Sequence, residues 1–400
     1  MWMHQLTALL QTAFLSALKM LIAPLIFFSL LSGVLQLRNA TGSLGRLGGY
    51  TISYYLLTSG IAIAIGLAVV FFVHPWTNHP PLSADQIPPP PSGLLSQTDG
   101  SLITLLQGVI KQLLSNPFNA LAELNILGIL FSAILLGLAL AVTLPTTSTL
   151  PARIEEITQA VYKIAAWVLK LLPLGLFAIA FQLSDRIEAT TLVSLSQFAA
   201  VVFGATALHG LLVLPALAWL FTGVPPWRLL PAVSQPMLTA LVTSSSAATL
   251  PLSLTTAQEK LGVERARAAF ILPLGATINM DGTALFEGIA VVFLAYMFGI
   301  PLTTTMIVVV FIVTMLSSAG APGIPSGSMA GLQVVLISVG IPLEAIALVL
   351  LVERPLDTFR TAVNVQGDLI GCLIVDRLLK SQSADSEAPP TSTPIKEENP

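Results

Sequence analysis

The chain is 400 residues long, with 17 basic and 20 acidic side chains, 54% hydrophobic residues and a mean hydropathy of +0.86. Charged residues make up 9%, against about 25% in a soluble domain, which excludes a soluble globular protein and a disordered chain. A net charge of −3 leaves no basic footprint for a phosphate backbone, and one cysteine (Cys372) with four scattered histidines argues against a disulfide framework or a Cys- or His-based metal centre.

A bilayer core takes about 20 apolar residues per helix. Stretches free of Asp, Glu, Lys and Arg lie at 20–37, 47–84, 124–152, 189–227, 229–258 and 288–343, with a shorter one at 171–184 behind an amphipathic lead-in at 154–170. The pattern predicts an all-α, multi-spanning membrane protein with ordinary spans at 17–37, 50–73, 124–144, 163–183 and 194–221. Residues 1–11 lack the basic lead of a cleavable signal peptide. The segment at 74–100 is Pro-rich, has no Lys or Arg, and carries Asp85 and Asp99. Loops on the other side carry Arg38, Arg46, Arg153, Arg228, Lys260, Arg265 and Arg267. The positive-inside rule therefore puts those loops in the cytoplasm and the Pro-rich segment outside. The tail 381–400 is polar and Pro-rich, reads as disordered, and follows Arg377 and Lys380 on the cytoplasmic side.

Two apolar segments are interrupted by small and polar residues. In 229–258 the middle reads Thr243, Ser244, Ser245, Ser246, then Thr249 and Pro251; in 302–340 two prolines and three glycines fall within 319–327. Such backbone cannot stay helical, and at membrane depth it is tolerated only inside protein or against a wet cavity. Both segments are predicted to be re-entrant hairpins with polar tips, the alternative being two kinked helices. The tips resemble each other, SSAATLP at 245–251 and SSAGAPGIP at 317–325, and paired interrupted segments point to a transporter's binding site.

Charge inside a span costs at least ~2.5–3.5 kcal/mol on insertion scales and marks a functional site by default. The run LPLGATINMDGTAL at 272–285 places Asp281 between apolar segments, with Glu287 beyond it. It is predicted to unwind and offer carbonyl oxygens and a carboxylate to a hard cation such as sodium; a simple turn capped by Asp281 is the alternative. The last span carries Glu353, Asp357, Arg360, Thr361, Asn364 and Asp368. At about 100° per residue these fall within about 60° of one line. The stripe reads as a recognition set for an acidic amino acid: a guanidinium fork for a carboxylate, an acid for the amino group and an amide. An internal Asp357–Arg360 salt bridge without a ligand is the plainer alternative.

On these motifs, together with YYLLTS at 54–59, SAGAPGIP at 318–325 and DTFRTAVNVQGD at 357–368, the chain resembles the glutamate/aspartate transporter family, also called dicarboxylate/amino acid:cation symporters, over about residues 15–380. The resemblance implies that Arg360 holds a substrate side-chain carboxylate, Asp357 the amino group, and Asn364 with Thr361 the main-chain polar groups. Thr283 and the backbone of Ser246 and Ile324 complete that pocket. It implies three sodium sites: Gly275, Asn279 and Asn364 carbonyls with the Asp368 carboxylate; Thr277 with the carbonyls of Ser318, Ala319 and Ala321; and Tyr55, Thr58, Ser59, Asn279 and Asp281. Glu287 stands where proton-coupled members carry a glutamate, and is predicted to be a proton carrier, because a neutral acid crosses the membrane at much lower cost than a charged one. The alternative is a pairing or packing role.

The resemblance further implies a homotrimer in the cell's plasma membrane, in which a mobile transport domain slides past a fixed scaffold. Its parts would be scaffold at 1–49, a transport helix at 50–73, the extracellular Pro-rich loop at 74–100, scaffold helices at 101–190, a transport domain at 191–380 and the tail at 381–400. Within 191–380 the expected order after the first helix is hairpin 228–258, broken helix 264–299, hairpin 302–340 and final helix 342–380. Two departures stand out. The family's pattern has a helix before the segment that begins near His4, which suggests a truncated or misassigned start. Ser244 and Thr358 occupy the places where the family carries a second arginine. Arg360, which the neutral amino acid carriers lack, is kept, so sodium-coupled import of acidic amino acids is favoured over a neutral amino acid or C4-dicarboxylate substrate. No enzymatic cofactor is expected. An enzyme would need a nucleophile with its base or a metal cluster, and neither HExxH nor GxSxG occurs. An anion channel remains the rival class.

Overall fold

The structure is a computed structural model that describes residues 2–36, 43–81, 110–111, 113–145, 147–184, 189–319, 321, 323 and 325–386. The loop around Arg38, most of the Pro-rich segment and the tail beyond 386 lie outside them. Among the described residues the regular elements are helical and none is a strand. In chain order they are α1 (Trp2–Gln36), α2 (Ser43–Phe72), a 3-10 turn (Pro75–Asn78), α3 (Pro117–Glu123), α4 (Ile126–Thr143), α5 (Leu150–Leu169) and α6 (Leu172–Ser184). Then α7 (Ala189–Leu208) runs through a π turn (His209–Val213) into α8 (Leu214–Thr222). Next come α9 (Pro226–Thr243), α10 (Ser246–Glu259), α11 (Arg265–Ile278), α12 (Asp281–Met297), α13 (Thr304–Ser318) and α14 (Ser328–Ser338). A 3-10 turn (Leu343–Ala345) leads into α15 (Ile346–Ser386).

Among the described residues, four apolar stretches of helix are long enough to cross a membrane: Arg46–Asn78, Leu150–Gly175 (which runs over the turn between α5 and α6), Ala189–Thr222 and Arg265–Met297. Shorter apolar runs lie in α1 (Ala23–Leu35) and α4 (Phe131–Thr143). The expected uninterrupted span at 163–183 is corrected: α5 stops at Leu169 and α6 starts at Leu172. Pro173 cannot extend α5, but it fits the first turn of a new helix, where its missing N–H has no partner to lose. The end of the last helix is corrected too. It runs to Ser386 rather than 380, because residues 381–386 contain no Gly or Pro and Lys380 pairs with Asp376 at 2.7 Å one turn back.

Packing divides the helices. α1 lies mainly against α4, α5 and α6, while α2 lies mainly against α12. The pairs α9–α10 and α13–α14 each fold back on themselves, and α15 touches α2, α7, α8, α9, α10, α11 and α12. One apolar cluster surrounds α12 (Phe286, Phe293, Ile289, with Trp76 and Phe198), and a second surrounds the C-terminal half of α15 (Leu369, Leu373, with Leu214, Leu229 and Ile271). The polar residues of α11, α12 and α15 sit where these two clusters adjoin. α12 is buried almost throughout, Asp281 and Glu287 included.

Candidate substrate and cation site

The α11–α12 helix pair is interrupted at Asn279 (φ −95°, ψ 82°) and Met280 (φ −112°, ψ 54°). Neither residue is helical, so the local backbone groups need other partners. Asn364 supplies one: its Oδ1 accepts from the Gly282 N–H at 2.7 Å. Its Nδ2 donates to Thr283 Oγ1 and Met280 Sδ, both at 3.3 Å. A side chain one helix away therefore holds the unwound turn in shape.

Carboxylates and hydroxyls gather beside that turn. Ser59 donates to Asp281 Oδ1 at 2.8 Å, Asn279 Nδ2 donates to Asp368 Oδ1 at 3.0 Å, and Thr58 donates to Asn279 Oδ1 at 3.3 Å. Tyr55 donates its hydroxyl to the Ile271 carbonyl at 2.8 Å. Gly275 leaves room for this gathering, since a Cβ there would lie 2.5 Å from Asp368 Oδ1 and 2.6 Å from the Tyr55 hydroxyl. Tyr55, Thr58, Ser59, Asn279, Asp281 and Asp368 are all buried. Oxygen donors of this kind suit a hard cation, and among the described residues no cluster of His, Cys, Asp and Glu suited to other metals occurs.

The Thr277 set is less closely drawn together by side chains. Thr277 donates to its own helix at the Leu274 carbonyl (3.0 Å), and Ser318 to Met315 (3.3 Å). Ala319 caps α13 and Ala321 is buried beyond it. What seats this hairpin on α11 is Gly323, where a Cβ would lie 2.5 Å from the Ala276 carbonyl oxygen. The Gly323 carbonyl also accepts from Ser245 Oγ (2.8 Å) and the Ala247 N–H (3.3 Å), so the two hairpin tips touch. Ser246, buried, opens α10 at that contact.

The charged centre lies on α15. Arg360 is 1% exposed. Its Nη2 donates to Glu353 Oε1 at 2.9 Å and to Asp357 Oδ1 at 3.2 Å, and its Cζ stands 3.8 Å from the centre of the Phe286 ring. Its Nε and Nη1 are buried without a partner. The second hairpin covers the acids: Ser326 donates its N–H to Asp357 Oδ2 and its hydroxyl to Glu353 Oε2, both at 2.9 Å. Ser326 holds φ 58° to do so, a left-handed conformation that costs a non-glycine residue on the order of 1–3 kcal/mol. Thr361 donates to the Asp357 carbonyl at 2.8 Å. Ile324 lies outside the described residues.

Glu287 sits apart, between α12 and the second hairpin. Its Oε2 accepts from Ser317 at 2.8 Å and its Oε1 has no partner. A Cβ at Gly331 of α14 would collide with Oε1.

Two residues outside the expected sets reach the site. His209 is fully buried, and its Nε2 lies 3.3 Å from Asp281 Oδ2; a histidine inside an otherwise uncharged span was the available signal. Ser326 was visible only as part of a Pro/Gly-rich tip, and nothing local marked it as the residue that reaches both acids.

Charges of both signs, enclosed where broken helices meet inside an apolar bundle, define a membrane carrier. The chain belongs to the sodium:dicarboxylate symporter family, whose profile it matches over residues 2–378. It is 31% identical to the mouse neutral amino acid transporter B(0), with 94% of this chain and 75% of the relative covered. It is 31% identical to an excitatory amino acid transporter of Caenorhabditis elegans (90% and 78% covered) and 30% to the human neutral amino acid transporter A (93% and 76%).

Asn364→Ala leaves the Gly282 N–H buried and unpaired, which costs about 1–3 kcal/mol. Thr358→Ala removes an exposed hydroxyl bonded within its own helix and should change stability by less than about 0.5 kcal/mol. Thermal unfolding of the purified variants should separate them in that order.

Proposed function

We propose that this symporter imports acidic amino acids, glutamate or aspartate, together with sodium, across the plasma membrane. The observation that carries the reading is the Arg360 guanidinium, buried in the site with Nε and Nη1 unpartnered. Unpaired buried donors on a cation call for an anionic oxygen. Asp357 is the group for the substrate's ammonium, with Asn364, Thr361, Thr283 and the backbone of Ser246 and Ile324 for its main-chain polar groups. Sodium is held in the three sets around Asp368, Thr277 and Asp281. Each sodium ion entering down a tenfold gradient and about 100 mV releases roughly 1.4 plus 2.3 kcal/mol, so two or three ions support several decades of accumulation.

The packing supports an elevator arrangement. The group α1 with α4–α6 forms the scaffold at which three copies assemble, and α2 with α7–α15 moves, its two hairpins re-entering the membrane from opposite sides. The basic loops and the C-terminus are cytoplasmic. A neutral amino acid is the second reading. It rests on the two carboxylates that already occupy Arg360, and on the substrates named for the mouse and human relatives.

In proteoliposomes, Arg360→Ala should abolish sodium-driven aspartate and glutamate uptake. Loss of a charged partner costs about 2–5 kcal/mol, which is a thirtyfold or larger loss of apparent affinity; unchanged affinity would remove Arg360 from the pocket. Asp368→Asn and Asp281→Asn should each move half-activation to higher sodium concentration or flatten its steepness, since each removes the charge opposite a dehydrated cation. Curves superimposable on that of the unaltered protein would refute the cation sites.

Glu287 is the proton carrier in this reading, placed so that its protonation reports to the second hairpin through Ser317 and Gly331. Glu287→Gln imitates the neutral acid. Substrate exchange should persist in the variant while substrate-driven internal acidification, followed with an entrapped pH dye, is lost. Equal proton flux in both proteins would exclude Glu287.

A further inference from the structure

A guanidinium can grip a carboxylate with two parallel bonds along either of two edges, one formed by Nε and Nη2 and the other by Nη1 and Nη2. Both edges need Nη2, which carries two hydrogens. Here those two hydrogens are directed to Glu353 Oε1 (2.9 Å) and Asp357 Oδ1 (3.2 Å), while Nε and Nη1 stand free. Neither edge is therefore available whole. A substrate carboxylate can take single bonds from Nε or Nη1, but it gains the fork only by displacing one of the two resident acids.

The two acids are not equivalent. Asp357 lies one turn from Arg360 on the same helix, takes the Ser326 N–H on its other oxygen and also faces Arg354 at 3.6 Å. Glu353 lies seven residues back, is 1% exposed, and its other oxygen is held by the Ser326 hydroxyl of the second hairpin. We propose that Glu353 is a tethered competitor for the substrate's side-chain carboxylate, and that its strength as a competitor sets whether this carrier takes acidic or neutral amino acids. A neutral amino acid leaves the Glu353–Arg360 pair intact and uses only the ammonium and main-chain contacts. An acidic one gains the fork only by breaking that pair, and its arrival places a third carboxylate around one guanidinium. Discrimination by a charge already in the site works through the repulsive element as well as the attractive one. The inference rests on the proposed role of Arg360 but makes a separate statement about Glu353.

The test is uptake of radiolabelled aspartate, glutamate, serine and alanine into proteoliposomes by the full-length protein, Glu353→Gln and Glu353→Asp. Glutamine keeps the size and one acceptor but not the charge. Aspartate keeps the charge but withdraws it by one methylene. Glu353→Gln should lower the apparent KM for the acidic amino acids at least fivefold and leave the neutral ones within twofold, with Glu353→Asp shifted the same way. Should Glu353→Gln fail to reach the membrane, the Glu353→Asp protein decides by the same readout. Equal loss of all four substrates, or no change in any, overturns the proposal and makes Glu353 a packing residue. If the unaltered protein carries only serine and alanine, the acidic reading of its native substrate fails. The competitor role then stands or falls separately: gain of aspartate or glutamate uptake in Glu353→Gln upholds it, and no gain overturns it.

Discussion

Arg360 governs the arrangement around it. A guanidinium removed from water inside an apolar bundle needs anionic partners; here it also lies over an aromatic face, and each of these contacts imposes a further demand. Glu353 and Asp357 supply the anions, but two carboxylates in one place must in turn be separated and satisfied. Ser326 does this from another element, at the cost of a left-handed backbone. Phe286 supplies the aromatic face and thereby fixes how α12 lies against α15. The hairpin tip, the unwound turn and the last helix are thus tied to one buried charge.

A second constraint comes from the backbone. Interrupting a helix in a dry setting strands N–H and C=O groups, and the structure answers each interruption with a specific polar side chain or with another interruption. Asn364 secures the turn at Asn279-Met280, and the Gly323 carbonyl of one hairpin accepts from Ser245 and Ala247 of the other. Some buried side-chain groups are left short of partners. They include Arg360 Nε and Nη1, Glu287 Oε1 and the Ser244 hydroxyl, and three of these belong to residues that carry charge.

The all-helical membrane class was legible because low charge density and long uncharged stretches admit few other solutions. Gly and Pro in a span leave the same mark wherever they occur, so the interruptions near 244–246 and 319–327 could be seen without a structure. The polar stripe of α15 was legible from its period, since Asp357, Arg360, Thr361 and Asn364 repeat with the helix. Contacts across elements were not. Nothing in the spacing of Glu353 and Arg360 says that the first occupies the second, because seven residues apart on a helix fits equally two groups facing a common ligand. The break at Lys170 was obscured because the surrounding residues are apolar on both sides, and only Pro173 hinted at it.

The π turn has a consequence for the whole of the helix that contains it. One row of buried positions along α7 and α8 runs through Phe198, Val202, Ala205 and His209, then Leu214 and Ala218, with Thr206 and Gly210 buried beside it. The steps are four, three and four, then five and four. A five-residue step in a regular α-helix would turn the next side chain about 140° away from the stripe. The wider turn at His209–Val213 absorbs that excess. The N-terminal half can then serve the apolar cluster around Phe286, while the C-terminal half serves the one around Leu369. The π turn therefore works as a phase slip between two cores, and His209, at the slip, is the side chain turned towards Asp281. Deleting one residue from 210–213 would shorten the step from His209 to Leu214 to four, a step that regular α winding keeps on one face.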